Sequence, residues 1–139
     1  MEYSNQVIAE HPNNVVYWKN RVRMYYTLAS VNQTDAQMLY QEALHAIDTA
    51  RTLAPNDAKI AYNQGVLYGQ TGQIDKGIQI LNDTIKLKSN YTDAYVALGL
   101  FYHQASVDKN GTVVNAVYQK KAIEIYEYIL KNIDPQNKD

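Results

Sequence analysis

The chain has 139 residues, with 13 basic and 14 acidic side chains, a formal charge of −1 and a pI near 6.3. That balance leaves no electrostatic footprint for nucleic acid or an anionic membrane surface, and the lack of cysteine excludes disulfides, thiolate metal sites and a cysteine nucleophile while identifying no compartment. The longest apolar stretch, Ala94 to Tyr102, falls far short of the roughly 20 residues that span a bilayer, so direct membrane insertion by this segment is not expected.

Tyr3 to Glu10, followed by Pro12, reads as the tail of a short or truncated helix. Trp18, Val22 and Tyr25 then fall at steps of four and three, which places them on one helical face. A polar stretch from Ser30 to Asp35 separates that helix from one bearing Ala43, Ile47, Ala50 and Leu53 before Pro55. Asp57 can cap the next helix, which carries Ala58, Ala61, Gly65 and Tyr68 and ends at Gly72. Gln73 leads into a helix with Ile74, Ile78, Leu81, Ile85 and Leu87, which Asn90 closes. Asp93 and Ala94 open a helix with Tyr95, Leu98, Gly99 and Tyr102 on its inner face. Asn110-Gly111-Thr112 supplies a turn and an N-cap for a long last helix bearing Val113, Val117, Ala122, Tyr126, Ile129, Leu130 and Ile133, stopping near Pro135. Seven helices are expected, and no sustained period-2 alternation competes as strand.

Two of these segments carry one framework. Gly65-Val66-Leu67-Tyr68 recurs as Gly99-Leu100-Phe101-Tyr102, with the glycines and the tyrosines each 34 residues apart. A period of that size marks an array of helical hairpins. The chain resembles the tetratricopeptide repeats, whose pattern is W-x2-L-G-x2-Y, then A-x3-F, then P. Tyr95-x2-Leu98-Gly99-x2-Tyr102 matches the first half with tyrosine in place of tryptophan, and Ala122-x3-Tyr126 matches the second, with Pro135 one residue late. Gly65, Tyr68, Gly77 and Leu81 hold the corresponding places in the middle repeat, where Ala61 and Gln64 depart. Trp18, Tyr25, Ala43, Ile47 and Pro55 match in the first, where Val22 replaces the glycine. The first and third repeats carry extra residues between their helices, about nine and eleven over the standard unit.

The resemblance implies an all-α, right-handed superhelix of about three hairpins plus a partial N-terminal helix. It forms a single domain, with residues 1–12 ending a preceding helix and repeats at 13–55, 56–90 and 91–135. The core is expected to run continuously along the stack, with Trp18, Tyr68 and Tyr102 largely buried. Because the chain begins inside a helix that ends at Pro12, with no polar capping helix evident there, it is expected to be a piece of a longer protein. A second similarity, in Tyr17-Trp18-Lys19, Pro55-Asn56-Asp57 and the tyrosine-rich last helix, is to repeats at the ends of bacterial O-antigen ligase and polymerase-like membrane proteins. That similarity would make the chain the extramembrane tail of a glycan-assembly protein.

No catalytic residue, metal ligand or cofactor is expected. Three histidines are too few and too scattered for a metal site or a triad, and the glycines at 65, 69 and 72 lack the Gly-Lys-Ser/Thr of a phosphate loop. The Asn-x-Ser/Thr sequons at Asn32, Asn82, Asn90 and Asn110 read as accidents of an asparagine-rich chain. Repeats of this kind bind partners along the concave face of their inner helices. The expected contacts are Lys19, Asn20, Arg23 and Tyr26, then Lys59, Tyr62, Asn63 and Val66, then Val96, Leu100, His103 and Gln104. Relatives that clamp a chaperone's terminal carboxylate place basic residues where this chain has Val96 and Leu100, so only Lys19 and Asn63 of that clamp remain. The expected role is a scaffold for a peptide or partner protein, a polysaccharide being the alternative ligand and a homo-oligomer through the last helix a further reading.

Overall fold

The computed structural model describes residues 2–132, apart from the side chain of Tyr3. Seven α-helices follow one another: α1 (Glu2–Glu10), α2 (Val15–Val31), α3 (Ala36–Leu53), α4 (Ala58–Gln70), α5 (Ile74–Leu87), α6 (Thr92–Ser106) and α7 (Ala116–Asn132). The expected features at Ile133 and Pro135 lie outside the described residues. Helices α2/α3, α4/α5 and α6/α7 form three hairpins, which stack through α3 on α4 and α5 on α6, while α1 lies against α2.

Local chemistry sets the boundaries. Asn14 Oδ1 accepts from the Val16 amide at 3.0 Å, and Asp57 Oδ1 accepts from Lys59 and Ile60 at 2.9 and 3.1 Å, satisfying first-turn donors of α2 and α4. Gly72, at φ +87°, turns the chain out of α4 in a conformation that side chains disfavour. Two boundaries differ from the expectation. Helix α5 ends at Leu87, before Asn90, with the Lys88 amide still bonded to Thr84 O. The last helix is capped by Asn115, whose Oδ1 accepts from the Tyr118 amide at 3.1 Å, and Thr112 is not its cap. Thr112 instead donates its amide to Asp108 Oδ1 in a turn through Gly111, next to a lone antiparallel bridge between Val107 and Val113.

The hairpins close on small residues. A Cβ built on Gly77 would lie 2.8 Å from Gly65 O and 3.0 Å from Gly69 N, so α4 and α5 touch backbone to backbone. In the third hairpin a Cβ on Gly99 would meet the Tyr126 ring at 2.7 Å. Gly69 holds a different contact: its missing side chain leaves room for the Phe101 ring, which reaches across from α6.

The core is not one continuous cluster. One group, centred on Tyr25, Leu44, Ile47, Ile60 and Tyr68, joins α2, α3 and α4. A second, centred on Ile78, Leu81, Leu98, Phe101 and Ala122, joins α5, α6 and α7. Between them lies the α4–α5 contact, where Gly65, Gly69 and Gly77 have no side chains with which to bridge the groups. Tyr68 and Tyr102 are buried as expected, whereas Trp18 is only half-buried. Its indole N–H donates to Pro12 O at 2.7 Å, which holds the ring at the hairpin's edge with His45 packed edge-on against it.

Alanine at position 77 tests the close approach. Helix propensity alone favours Gly77→Ala by about 1 kcal/mol, but overpacking against immovable backbone costs about 1–3 kcal/mol and should prevail. Thermal denaturation followed by circular dichroism should give a lower midpoint for Gly77→Ala and an unchanged or raised one for Gln79→Ala, an exposed position on the same helix. A raised midpoint at position 77 would mean that α4 and α5 are free to move apart.

Candidate functional site

A cavity of about 470 Å³ opens between α2 and α4. Its walls are Lys19, Asn20, Arg23 and Tyr26 from α2 and Lys59, Tyr62, Asn63 and Val66 from α4, eight of the residues expected to form a groove. Its base is apolar, with Ile47, Ile60 and Leu67 buried and Val22 half-buried. Gln70 completes the lining and was not expected; it lies one helical turn beyond Val66 on the same face.

The cationic groups are unequal. Lys19 Nζ sits 3.7 Å from Asp57 Oδ2, so its charge is partly answered by the residue that caps α4. Among the described residues, neither Arg23 nor Lys59 has a carboxylate within ion-pair distance, and both are exposed. Burial, and then the neighbouring Asp93 carboxylate, hold the Tyr62 phenol above its usual range, so it stays a neutral donor at physiological pH. Tyr62 packs on Tyr91 at 5.1 Å between ring centroids, and Tyr26 lies edge-on to Tyr40 at 5.9 Å.

Leu100, His103 and Gln104 are not part of this cavity. They are exposed on α6, where Leu100 and Gln104 stand 34 residues beyond Val66 and Gln70 and so repeat their helical positions. Between α4 and α6, Tyr62 and Val66 instead pack against the second core group. Val96 and Leu100 are left as an apolar shelf, 41% and 53% exposed.

A partly buried polar contact unexpected from the sequence joins successive hairpins. Asp48 on α3 accepts from the Tyr68 hydroxyl at 2.6 Å and from Gln64 Nε2 at 2.8 Å. One repeat on, Asn82 Nδ2 donates to the Tyr102 hydroxyl at 3.2 Å, again over a separation of 20 residues. The same spacing leads back from Tyr25 to Asn5, whose Oδ1 accepts from Arg21 Nη2 at 2.6 Å while that guanidinium also donates to the Tyr25 hydroxyl at 3.0 Å. Arg21–Asn5 and Gln64–Asp48 are both separated by 16 residues, so α1 is seated on α2 as α3 is on α4. A polar residue 20 positions before each framework tyrosine was the available signal. His45 lies three residues before Asp48, whose carboxylate is committed to Tyr68 and Gln64.

No protein-family model matches the chain, and neither does any curated protein. Among solved structures, the chain is similar to "MamA MSR-1 C2", at 21% identity and a TM-score of 0.60, with 91% of this chain and 65% of that chain covered. It is also similar to "Crystal structure of MamA", at 25% identity and a TM-score of 0.48 with 89% and 85% covered, and to "Crystal structure of MamA protein", at 25% and 0.49 with 94% and 83% covered. Only the first is near enough in space to bear on the architecture, and it shows the fold alone. This chain spans about two thirds of that MamA chain. With seven helices and no strand among the described residues, the fold is that of a tetratricopeptide-type helical repeat. No described helix is long and apolar enough to cross a membrane, and no three His, Asp or Glu side chains among the described residues gather as metal ligands.

The tyrosine contacts predict an alkaline limit. Burial and the Asp48 hydrogen bond raise the Tyr68 phenol above its ordinary value, and the Asp75 hydrogen bond, then burial, raises Tyr118. The folded state therefore holds these protons when the unfolded chain has begun to lose them, near pH 10. Their stabilisation is complete below about pH 10 and is lost as pH rises through the folded values. Tyr68→Phe should lower stability at neutral pH by about 1.5–3 kcal/mol, the range for a hydrogen bond to a charged group, and flatten the loss above pH 10. Urea titrations of both proteins at neutral pH and above pH 10 check this. Equal slopes against pH would remove Tyr68 from the account.

Proposed function

We propose that the chain is a binding scaffold, without catalytic chemistry of its own, that holds an extended peptide with an acidic or carboxylate end in the cavity between α2 and α4. The observation that carries this reading is the juxtaposition of Arg23 and Lys59, which have no described acidic partner, with an apolar base and the amides of Asn20 and Asn63. Guanidinium and ammonium groups attract a carboxylate, and the asparagine amides can both donate to and accept from a peptide backbone. Val22, Ile47, Ile60 and Leu67 offer apolar area to one or two side chains. Beyond the cavity, Val96 and Leu100 continue as an apolar shelf, with His103 and Gln104 at its far end, suited to the segment preceding the acidic end.

Tyr26 and Tyr62 could instead stack on sugar rings, which makes a polysaccharide the competing ligand. Both rings already pack against other tyrosines, and the cavity's cations have no use for a neutral sugar. The reading as the tail of a membrane glycan-assembly protein has no geometric feature in its favour.

A peptide library carrying free C-terminal carboxylates, compared with the same peptides amidated, tests the proposal by fluorescence anisotropy. Binding should favour the free acids and weaken with added salt, because exposed charges are screened beyond about 10 Å at 0.1 M. For a peptide so selected, Arg23→Ala and Asn63→Ala should each weaken binding several-fold and leave the unfolding free energy within about 0.5 kcal/mol of the parent's, as surface changes do. If both variants bind as the parent does, the cavity is not the site. Attention then moves to the insertion from Ser106 to Thr112.

A further inference from the structure

Each hairpin's second helix presents one face to the hairpin that follows, and the sequence marks that face by its distance from the small residue at the hairpin contact. The small residues are Ala43, Gly77 and Ala122. One residue further on come Leu44, Ile78 and Ile123; five further on come Asp48, Asn82 and Glu127. Leu44 and Ile78 are buried, at 5% and 6% exposure, while Ile123 is 48% exposed. Asp48 and Asn82 bond to the tyrosine of the next hairpin, whereas Glu127 is exposed and has no described cation within ion-pair distance. Leu130, three residues beyond Glu127, is 51% exposed. Helix α7 thus displays an apolar face with a carboxylate at its centre, in the register that elsewhere in this chain receives the first helix of another hairpin.

The chain also contains a first helix whose matching face is poorly filled. Arg21 and Tyr25 of α2 face α1, where Asn5 takes the place that Glu127 takes on α7 and Ile8 takes the place of Leu130. An opening of about 480 Å³ remains between α1 and α2, lined among others by Ser4, Val7, Ile8, Tyr17 and Met24. Helix α1 answers the Arg21 guanidinium with a neutral amide, that of Asn5.

We propose that the exposed face of α7 is an interaction surface for a second copy of this chain. The α2 helix of that copy docks on it in place of the copy's own α1, which continues the stack head to tail. Arg21 of one copy then meets Glu127 of the other, exchanging a hydrogen bond to a neutral amide for one to an ionised carboxylate. Ile123 and Leu130 fill the space that α1 leaves open. Such an interface joins unlike surfaces, so it propagates into an open chain of copies unless its rotation happens to close a ring. The inference rests on the repeat geometry and is independent of the cavity between α2 and α4.

Light scattering coupled to size-exclusion chromatography of the full chain, over a concentration range at low and moderate salt, is the test. The mean mass should rise with concentration past that of a dimer and fall as salt is added. Arg21→Glu and Glu127→Arg should each weaken association by at least about tenfold, the scale of breaking a close interfacial charge pair. An equimolar mixture of these two variants should associate, because every junction in an alternating chain then pairs opposite charges. Ile123→Lys, at an exposed site that carries no part of the fold, should also abolish association, and Asn5→Ala, which loosens α1, should strengthen it. Asn63→Ala, in the other cavity, should leave it unchanged. A chain that stays monomeric throughout overturns the proposal. So does a dimer that goes no further and is indifferent to Arg21→Glu, or an assembly abolished by Asn63→Ala.

Discussion

The architecture depends on how closely two helices of a hairpin can approach. At Gly77 the limit is set by backbone atoms of α4, Gly65 O and Gly69 N, while Gly65 faces the Leu81 side chain of α5. That approach lets Leu81 reach full burial against Gly65 and turns the flanking faces of both helices outward, toward the neighbouring hairpins. It also divides the apolar core into two groups, since glycines contribute no atoms to a bridge. Coupling across the divide comes from elsewhere, notably the Phe101 ring of α6 lying on Gly69 of α4.

A second constraint sets the relation of one hairpin to the next. In a stack held only by aliphatic contacts, neighbouring units could slide by a fraction of a turn at little cost. Hydrogen bonds from Tyr68 to Asp48 and between Asn82 and Tyr102 add direction, because a partly buried polar group must keep its partner. Tyrosine meets both needs with one side chain: the ring fills the space between helices and the hydroxyl specifies the angle. The 13 tyrosines against one phenylalanine acquire a reason here. Tyr68, Tyr102 and Tyr118 use the hydroxyl in contacts between helices, while that of Tyr25 accepts from Arg21 on its own helix, and phenylalanine would leave those partners unanswered.

Function follows from the positions at which this scheme leaves surface unfilled. Between α2 and α4 the facing side chains are long and polar, and they diverge over an apolar base to leave a cavity. Between α4 and α6 tyrosines close the corresponding space. Helices α1 and α7 differ again, with an opening left between α1 and α2 and an outer face on α7 that is apolar at Ile123 and Leu130. One repeating framework thus yields a pocket, a shelf and an end surface, according to which side chains occupy equivalent positions.

Helix number, approximate boundaries and hairpin pairing were legible in the sequence, because they depend on local periodicity, caps and the recurrence of Gly65 and Tyr68 at Gly99 and Tyr102. The polar lining from Lys19 to Val66 was legible for the same reason, since an inner helix exposes a fixed subset of its positions. Where two elements compete for one contact, the sequence was silent. It could not place Trp18 at an edge, because the Pro12 carbonyl that holds it there becomes available only once the connector has turned. It could not exclude Leu100, His103 and Gln104 from the cavity, because closure between α4 and α6 depends on Tyr91 arriving over Tyr62 from another loop. It left Asp48 unremarked, since a carboxylate in mid-helix looks solvated until Tyr68 and Gln64 are brought to it from the next hairpin. Periodic burial is written in one helix at a time, whereas the identity of a partner is decided by helices that meet only in three dimensions.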